Sequence, residues 1–181
     1  MALIAVITFA SAGCDQAAKH IARNTLGDPG SISLLSDTVR LGLAENRGAF
    51  LSLGSDFSDS ARRFLFVSVA SALLAAIAIA SVFGPNLGVA HVVGLALVLG
   101  GGIGNLIDRV LRDGLVTDFV QIGIGSLRTG IFNLSDLAIV LGVACFALAR
   151  DPSASRHAGT RAGGSRPGRT RPNGLGRESK R

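Results

Sequence analysis

The sequence GGGIGNLIDRVLRDGLVTDF, at residues 100–119, passes from an apolar helical pattern into a polar segment. Within it, Asn105, Asp108 and Arg109 are separated by helical spacings of three and four residues. Side chains three or four residues apart lie on one helix face, which predicts a polar stripe that Gly101 extends by one turn. Charged groups at the edge of an apolar helix are costly to bury and are therefore candidates for function.

The composition indicates a membrane protein. Of the 181 residues, 48% are hydrophobic and only 17% are charged, and the mean hydropathy is +0.47. Residues 1–150 hold ten basic and ten acidic side chains, so the net charge of +6 lies entirely in residues 151–181. A basic tail that follows an apolar segment is a topology signal, and we expect no nucleic-acid partner because the rest of the chain has no basic excess.

Four apolar segments predict four transmembrane helices, at about residues 2–21, 64–83, 87–107 and 131–149. The expected fold class is a mainly α membrane protein with one domain at residues 1–150. Residues 151–181 are rich in Arg, Gly, Ser and Pro, which predicts a disordered tail. Four spans place both termini on the same side of the membrane, and the basic tail assigns that side to the cytoplasm.

The two polar connections, residues 24–63 and 108–130, would then lie on the outer, periplasmic or extracytoplasmic face. Apolar residues alternate with Arg40 and Gly42 over residues 39–43, which predicts a strand. Residues 115–119 and 120–124 are two further strand candidates. We therefore expect a small β element and loops on the outer surface of the membrane.

Polar groups from distant parts of the chain are predicted to reach one membrane depth. Asp15 and Lys19 lie near the outer end of the first span, where the polar stripe of the third span also ends. Asp136 lies five residues into the fourth predicted span, about 7 Å below the outer surface. Asn46 and Asp118 lie on the outer connections. This convergence predicts a functional site at the outer membrane interface.

Carboxylates dominate this site, and neither a Cys–His or Ser–His arrangement nor a Cys/His metal motif accompanies them. Two neighbouring carboxylates can share one proton, so that one activates water and the other acts as an acid. Asp118 and Asp136 have no adjacent base in sequence and are the better candidates for such a pair. The other two acids could instead form structural ion pairs, Asp15 with Lys19 and Asp108 with Arg109. We expect neither a metal nor a cofactor.

Five motifs resemble those of the lipoprotein signal peptidase family, also called signal peptidase II. They occur in the family's order over residues 3–149 and are DQxxK from Asp15, NxGAF from Asn46, GGIGNLIDR from Gly101, GxxxDF from Gly114 and FNLSD from Phe132.

The resemblance implies an aspartic endopeptidase of the bacterial inner membrane. Such an enzyme removes the signal peptide of a diacylglyceryl-modified prolipoprotein by cutting before the lipidated Cys. By the same resemblance, Asp118 and Asp136 are catalytic, and the substrate-binding or supporting residues are Asp15, Lys19, Asn46, Gly101, Asn105, Asp108, Arg109 and Asn133. We expect a multi-pass monomer whose partners are lipid-modified prolipoproteins and membrane lipid, with its active site near the outer face.

Four positions depart from the usual family pattern, namely Ala18, Ala49, Thr117 and Ser135. None of them removes a carboxylate, so they bear on substrate preference and not on the reaction. Two other functions also fit charges within apolar spans. A solute carrier would be expected to show a polar path to the inner side or internal repeats. A structural membrane scaffold would not need two unpaired aspartates at one depth.

Overall fold

The computed structural model of the chain describes residues 1–27, 30–47, 58–83 and 87–149, without the side chain of Arg62. The described part consists of four helices and one antiparallel sheet. The elements are α1 (Ala2–Thr25), β1 (Ser31–Leu34), β2 (Val39–Asn46), α2 (Asp59–Phe83), α3 (Val89–Leu111), β3 (Val116–Ile124), β4 (Leu127–Arg128) and α4 (Leu134–Leu148). The tail predicted to be disordered lies outside the described residues.

All four predicted helices are present, but their bounds differ from the predicted spans. Two of them, α2 and α3, are long and apolar enough to cross a membrane. The helix α4 is apolar but has only 15 residues, which is about 22 Å at 1.5 Å per residue. The helix α1 has 24 residues and carries buried Asp15 and Lys19. Crossing of the membrane by α1 and α4 therefore stays a prediction.

Three helices pack closely because small residues lie where their backbones meet. A Cβ atom on Gly100 of α3 would lie 2.8 Å from the Thr8 carbonyl oxygen of α1. A Cβ atom on Gly94 would lie 2.7 Å from the carbonyl oxygen of Gly142 in α4. Gly104 allows the same close approach between α3 and α1, since a Cβ on it would meet Asp15 at 2.8 Å.

The predicted β element is a four-stranded antiparallel sheet in the order β1-β2-β3-β4. The two predicted strands at 115–119 and 120–124 are in fact one continuous strand, β3. Its partner β2 has an irregular register between Leu41 and Ala44, where a bulge lets Ala44 pair with Asp118. β2 and β3 therefore stay paired on both sides of the bulge, from Val116 near the site to Ile122.

The chain reverses sharply between α3 and β3. Asp113 and Gly114 both have positive φ angles, 54° and 88°, and the Gly114 N–H donates to the Arg109 carbonyl at 2.8 Å. A Cβ on Gly114 would lie 3.2 Å from Cβ of Arg63, so the turn needs both the backbone freedom and the small size of glycine. The reversal brings the start of β3 back beside the end of α3.

Candidate active site

The four helices and the sheet meet in a polar cluster at the end of the bundle where α1 and α3 finish and α4 begins. The largest fully buried side chains of the described residues all belong to this cluster or adjoin it, and they are Lys19, Asn133, Asp15, Asp108 and Ser135. Burying so many polar groups is costly unless each is paired. The hydrogen-bond and ion-pair partners of these side chains therefore define the site.

Lys19 holds one half of the cluster together. Its Nζ lies 2.7 Å from Asp15 Oδ2 and 3.1 Å from Asp108 Oδ2, and it donates to Asn105 Oδ1 at 3.0 Å. A lysine ammonium has three N–H groups, so these three acceptors satisfy it completely. The predicted pair of Asp15 with Lys19 is confirmed, whereas the partner of Asp108 is Lys19 and not the predicted Arg109.

Asp15 and Asp108 also fix the backbone of the neighbouring elements. Asp15 Oδ1 accepts the Ser135 N–H of α4 at 2.9 Å, and Asp108 Oδ2 accepts the Thr117 N–H of β3 at 3.0 Å. Both carboxylates therefore have a cation and a backbone donor. Their contacts are those of structural ion pairs that set the positions of β3 and α4.

Asn133 connects the other half of the cluster. Its Nδ2 donates to Asp118 Oδ1 at 2.6 Å and to Asn105 Oδ1 at 3.1 Å, and its Oδ1 accepts the Asp136 N–H at 3.0 Å. Its own backbone N–H donates to Asp136 Oδ2 at 3.2 Å, which completes a capping box at the start of α4. One side chain thus positions both aspartates.

Asp136 lies in the first turn of α4, so the predicted position five residues into a span is wrong. The reason is that Phe132 is still extended and forms a β-bridge with Val120, so the helix cannot begin before Asn133. Asp136 also accepts a hydrogen bond from Asn105 Nδ2 at 2.9 Å. Two N–H donors and the N-terminus of a helix stabilise negative charge at this carboxylate.

Asp118 lies on β3 and is almost completely buried. Burial and the neighbouring charge of Asp136 raise the pKa of Asp118 from 3.8 to about 6, against the opposing effect of hydrogen bonds from Asn133 and Asn46. The Asn46 bond is 3.1 Å long and comes from β2. A carboxyl group with this pKa can carry a proton near neutral pH.

Arg109 and Gly101 complete the set of predicted site residues. The guanidinium of Arg109 lies 5.8 Å from the Phe66 ring centroid on α2, and its buried Nε has no partner among the described residues. Its Nη1 lies 3.4 Å from the Asn105 carbonyl. A Cβ on Gly101 would collide with the Ser135 carbonyl oxygen, so this glycine allows α4 to approach α3.

The structure also shows contributors that the sequence analysis did not assign to the site. Gln16 Nε2 donates to the Gly104 carbonyl at 2.9 Å and joins α1 to α3. Arg23 Nη1 donates to Thr117 Oγ1 at 3.1 Å and joins α1 to β3. Gln16 stands within the DQxxK motif and could have been found there. The Arg23 contact depends on a tertiary approach that no spacing in the sequence reveals.

Two departures from the family pattern also lie in this cluster. Thr117 supplies the acceptor for Arg23, and its N–H is held by Asp108. Ser135 is completely buried, and its hydroxyl oxygen has no hydrogen-bond partner among the described residues. Ala18 packs beside a small apolar cluster of Ala22, Leu26 and Phe119. Ala49 lies outside the described residues.

The fold of the chain is similar to that of solved structures titled as bacterial membrane enzymes. A solved structure titled as a bacterial membrane enzyme at 2.3 Å resolution has a similar fold, with a TM-score of 0.70, 20% identity, and coverage of 94% of this chain and 96% of that chain. A second structure of that description, at 1.9 Å resolution, has a TM-score of 0.69 and 24% identity over 83% of this chain and 95% of that chain.

The family model described as signal peptidase (SPase) II matches residues 7–150. Lipoprotein signal peptidases of Geobacter metallireducens and Hydrogenovibrio crunogenus are similar to the chain at 35% and 37% identity. The first match covers 81% of the chain and 88% of the relative, and the second covers 71% and 73%. The chain belongs to the signal peptidase II family. It is a peptidase that removes signal peptides from prolipoproteins, and a bacterial membrane is its location.

Proposed function

We propose that Asp118 and Asp136 are the catalytic pair of an aspartic endopeptidase reaction on diacylglyceryl-modified prolipoproteins, with the cut immediately before the lipidated Cys. The observation that carries this proposal is the Asn133 side chain, whose amide donates to the Asp118 carboxylate and whose oxygen accepts the backbone N–H of Asp136. The contacts of Asp118 and Asp136 are with amides, while Asp15 and Asp108 are neutralised by Lys19. We therefore assign proton transfer to Asp118 and Asp136, and a structural role to Asp15 and Asp108.

The raised pKa of Asp118 supports a division of roles. Asp136 removes a proton from water as the water oxygen bonds to the scissile carbonyl carbon, and Asp118 gives its proton to the carbonyl oxygen. In the second step the proton on Asp136 passes to the leaving nitrogen while Asp118 takes a proton from the tetrahedral intermediate. The C–N bond breaks, and both aspartates return to their starting states.

The surrounding residues are assigned supporting roles. Lys19 orients Asn105, and Asn105 donates to Asp136. Asn46 and Asn133 hold Asp118. Arg109 has a buried donor without a protein partner among the described residues, so we assign it to a carbonyl of the substrate. Gly101, Asp15 and Asp108 keep the helices in place.

The setting of the reaction follows the predicted topology. Four spans in a bacterial inner membrane, with both termini in the cytoplasm, would place the cluster at the outer face. The lipid of the substrate could then stay in the bilayer while the scissile bond reaches a site where water is available. The enzyme acts as a monomer in this proposal, because all the residues in catalytic or supporting roles come from one chain.

The test is cleavage of a purified diacylglyceryl-modified precursor by the full chain in lipid nanodiscs. Asp118→Asn and Asp136→Asn should each lower turnover by about 100-fold or more, since each removes one partner of the proton transfer. The matched control is Asp113→Asn, because Asp113 is an exposed aspartate that pairs with Arg63 at 2.7 Å outside the cluster. Near-normal turnover in either site variant would show that the pair is misassigned.

The same assay tests the expectation that no metal takes part. The carboxylate pair can activate water by itself, so turnover should be unchanged in the presence of a chelator. Loss of activity that a divalent cation restores would favour a metal-assisted reaction over the aspartic one.

A further inference from the structure

The two faces of the sheet differ in composition beyond its end at the active site. Directly paired residues on neighbouring strands project to the same face. The pairs on one face are Ile32 with Leu41, Leu34 with Val39, Leu41 with Val120, Val39 with Ile122, and Ile124 with Leu127. All eight residues in these pairs are aliphatic. We call this surface the aliphatic face.

The opposite face is polar. Ser33 pairs with Arg40, and Arg40 pairs with Gln121, so polar side chains line up across three strands. Asp37 accepts hydrogen bonds from Arg40 at 2.7 Å and from Ser33 at 2.8 Å, and it also pairs with Arg128. This part of the sheet is therefore amphipathic, with a hydrogen-bonded polar network on the face opposite the aliphatic face.

The outer part of the aliphatic face is not covered by the protein. The side chains of Ile124 and Leu127 are each 82% exposed, and those of Ile32, Leu34 and Ile122 are also exposed. Isolated exposed aliphatic residues are ordinary, but a contiguous group of five on one face marks a surface that contacts something apolar.

The direction in which the aliphatic face points indicates which apolar medium it contacts. Asp118 alternates with Val120 and Ile122 along β3, so all three project from the same face. Asp118 meets Asn133, the residue that begins α4. The aliphatic face is therefore turned toward the end from which α4 runs into the helix bundle, which is the side where the membrane lies.

We propose that the outer part of the aliphatic face rests in the outer leaflet of the bilayer, in contact with the upper acyl chains. The proposal rests on the membrane location of the family and not on the catalytic assignment. Strand pairing satisfies the sheet backbone, which is the condition for backbone to enter an apolar phase. The polar network around Asp37 would then face water, and the sheet would be held at the level of the scissile bond.

The sequence contains no Trp, so one introduced Trp reports on its own surroundings without background. Ile32→Trp and Leu127→Trp place the probe on the aliphatic face. Ser31→Trp is the matched control, because Ser31 is exposed, adjoins Ile32 in β1 and projects from the opposite face. Each variant of the full chain is placed in nanodiscs, without substrate, and its fold is checked by circular dichroism and by precursor cleavage.

Brominated acyl chains should quench the fluorescence of Ile32→Trp and Leu127→Trp several-fold more than that of Ser31→Trp. Acrylamide, which stays in water, should show the reverse order. Equal acrylamide quenching at all three positions would overturn the proposal. Protection from both quenchers would overturn it as well, since it would show that a second copy covers the face. Bromolipid quenching that appears only after precursor is added would also overturn the proposal. None of these readouts depends on turnover, so an error in the catalytic pair would not affect them.

Discussion

Four aspartates from distant parts of the chain meet in this site, and their partners separate them into two kinds. Asp15 and Asp108 each contact the Lys19 ammonium and one backbone N–H, which are the contacts of structural ion pairs. The hydrogen bonds to Asp118 and Asp136 come from amide groups. An amide donor stabilises charge less than a cation does, and burial raises the pKa of Asp118 in spite of its amide donors.

The pH dependence of turnover follows from the state of Asp118. Burial and the charge of Asp136 raise the pKa of Asp118 to about 6. The rate should therefore fall as the pH rises through this range, because the acid is lost, and fall again at low pH, because the base becomes protonated. The two limits belong to the coupled pair and not to single residues. A profile of kcat/KM in nanodiscs at constant ionic strength measures both limits.

The raised pKa of Asp118 also makes the stability of the folded protein depend on pH. An acid whose pKa is higher in the folded state binds more protons when folded, so stability falls as the pH rises between about 4 and about 6. This part of the pH dependence should be absent from thermal unfolding curves of Asp118→Asn and present in Asp113→Asn. A rate that keeps rising to pH 8 would contradict the assignment of Asp118 as the acid.

Sequence spacing predicted a contact within one helix but not the contacts between elements. The pair of Asp15 with Lys19 lies within one motif, whereas the contact of Asn105 with Asp136 links two motifs that the family resemblance had already selected. Spacing also suggested a pair between the neighbours Asp108 and Arg109, but adjacent residues point to different sides of a helix. Lys19 reaches Asp108 from another helix, and a contact between helices cannot be read from spacing along one of them.

At the scale of single elements, strand and helix periodicity predicted where structure occurs but not where it begins. The pattern over residues 39–43 is confirmed as part of β2, and each apolar segment is a helix. The start of α4 was placed three residues early because Ile131 and Phe132 are apolar and continue the helical composition. Their extended conformation comes from pairing with β3, which is a tertiary effect.

The cap of α4 is an element with two separable roles, and substitution of Asn133 separates them. Asn133→Ser keeps an oxygen that can cap the helix but removes the amide that binds Asp118 and Asn105. We expect Asn133→Ser to keep most of the thermal stability and to lose most of the turnover. Asn133→Ala should lose turnover and also about 1 kcal/mol of stability. Circular dichroism melting and precursor cleavage measure the two effects, and equal turnover in wild type and Asn133→Ser would show that the amide does not position the pair.

The contact between α1, α3 and α4 predicts a second effect at this scale. Gly104→Ala would place a methyl group against the Ser135 hydroxyl and 2.8 Å from Asp15 Oδ2, both of which are buried. Overpacking of this kind typically costs about 1–3 kcal/mol. The control is Gly13→Ala in α1, where nothing lies within 4 Å of the added methyl group.

Thermal unfolding in detergent should therefore show a lowered midpoint for Gly104→Ala. The Gly13→Ala variant should unfold at or slightly above the wild-type temperature, since alanine is the better helix former. Equal midpoints for the two variants would mean that the helices can move apart at Gly104 without cost.

At the scale of the whole molecule, the described part of the chain has two main groups of interacting polar side chains. One is the cluster around Lys19 and Asn133, and the other is the polar face of the sheet around Asp37. The helices expose apolar side chains, among them Phe64, Leu73 and Val140. Such surfaces are stable only in an apolar medium, which agrees with the membrane location of the family.

The basic tail is a further feature of the whole chain, since the net charge of +6 lies in residues 151–181. The family model ends at residue 150 and leaves the tail outside. If the tail is cytoplasmic, as predicted, the full thickness of the membrane separates it from the cluster. Deletion of residues 151–181 should therefore leave turnover within about twofold of wild type, which is less than about 0.5 kcal/mol in activation free energy.

The measurement must separate catalysis from insertion, since basic residues near a span also direct its orientation. Truncated and full-length protein are purified, reconstituted into nanodiscs and compared at equal amounts of folded enzyme. The control is a tail of the same length with its eight Lys and Arg residues replaced by Gln. A tenfold loss of turnover in the truncated enzyme but not in the Gln-substituted one would assign the tail a steric role at the site. The same loss in both variants would show that the charge of the tail contributes to turnover.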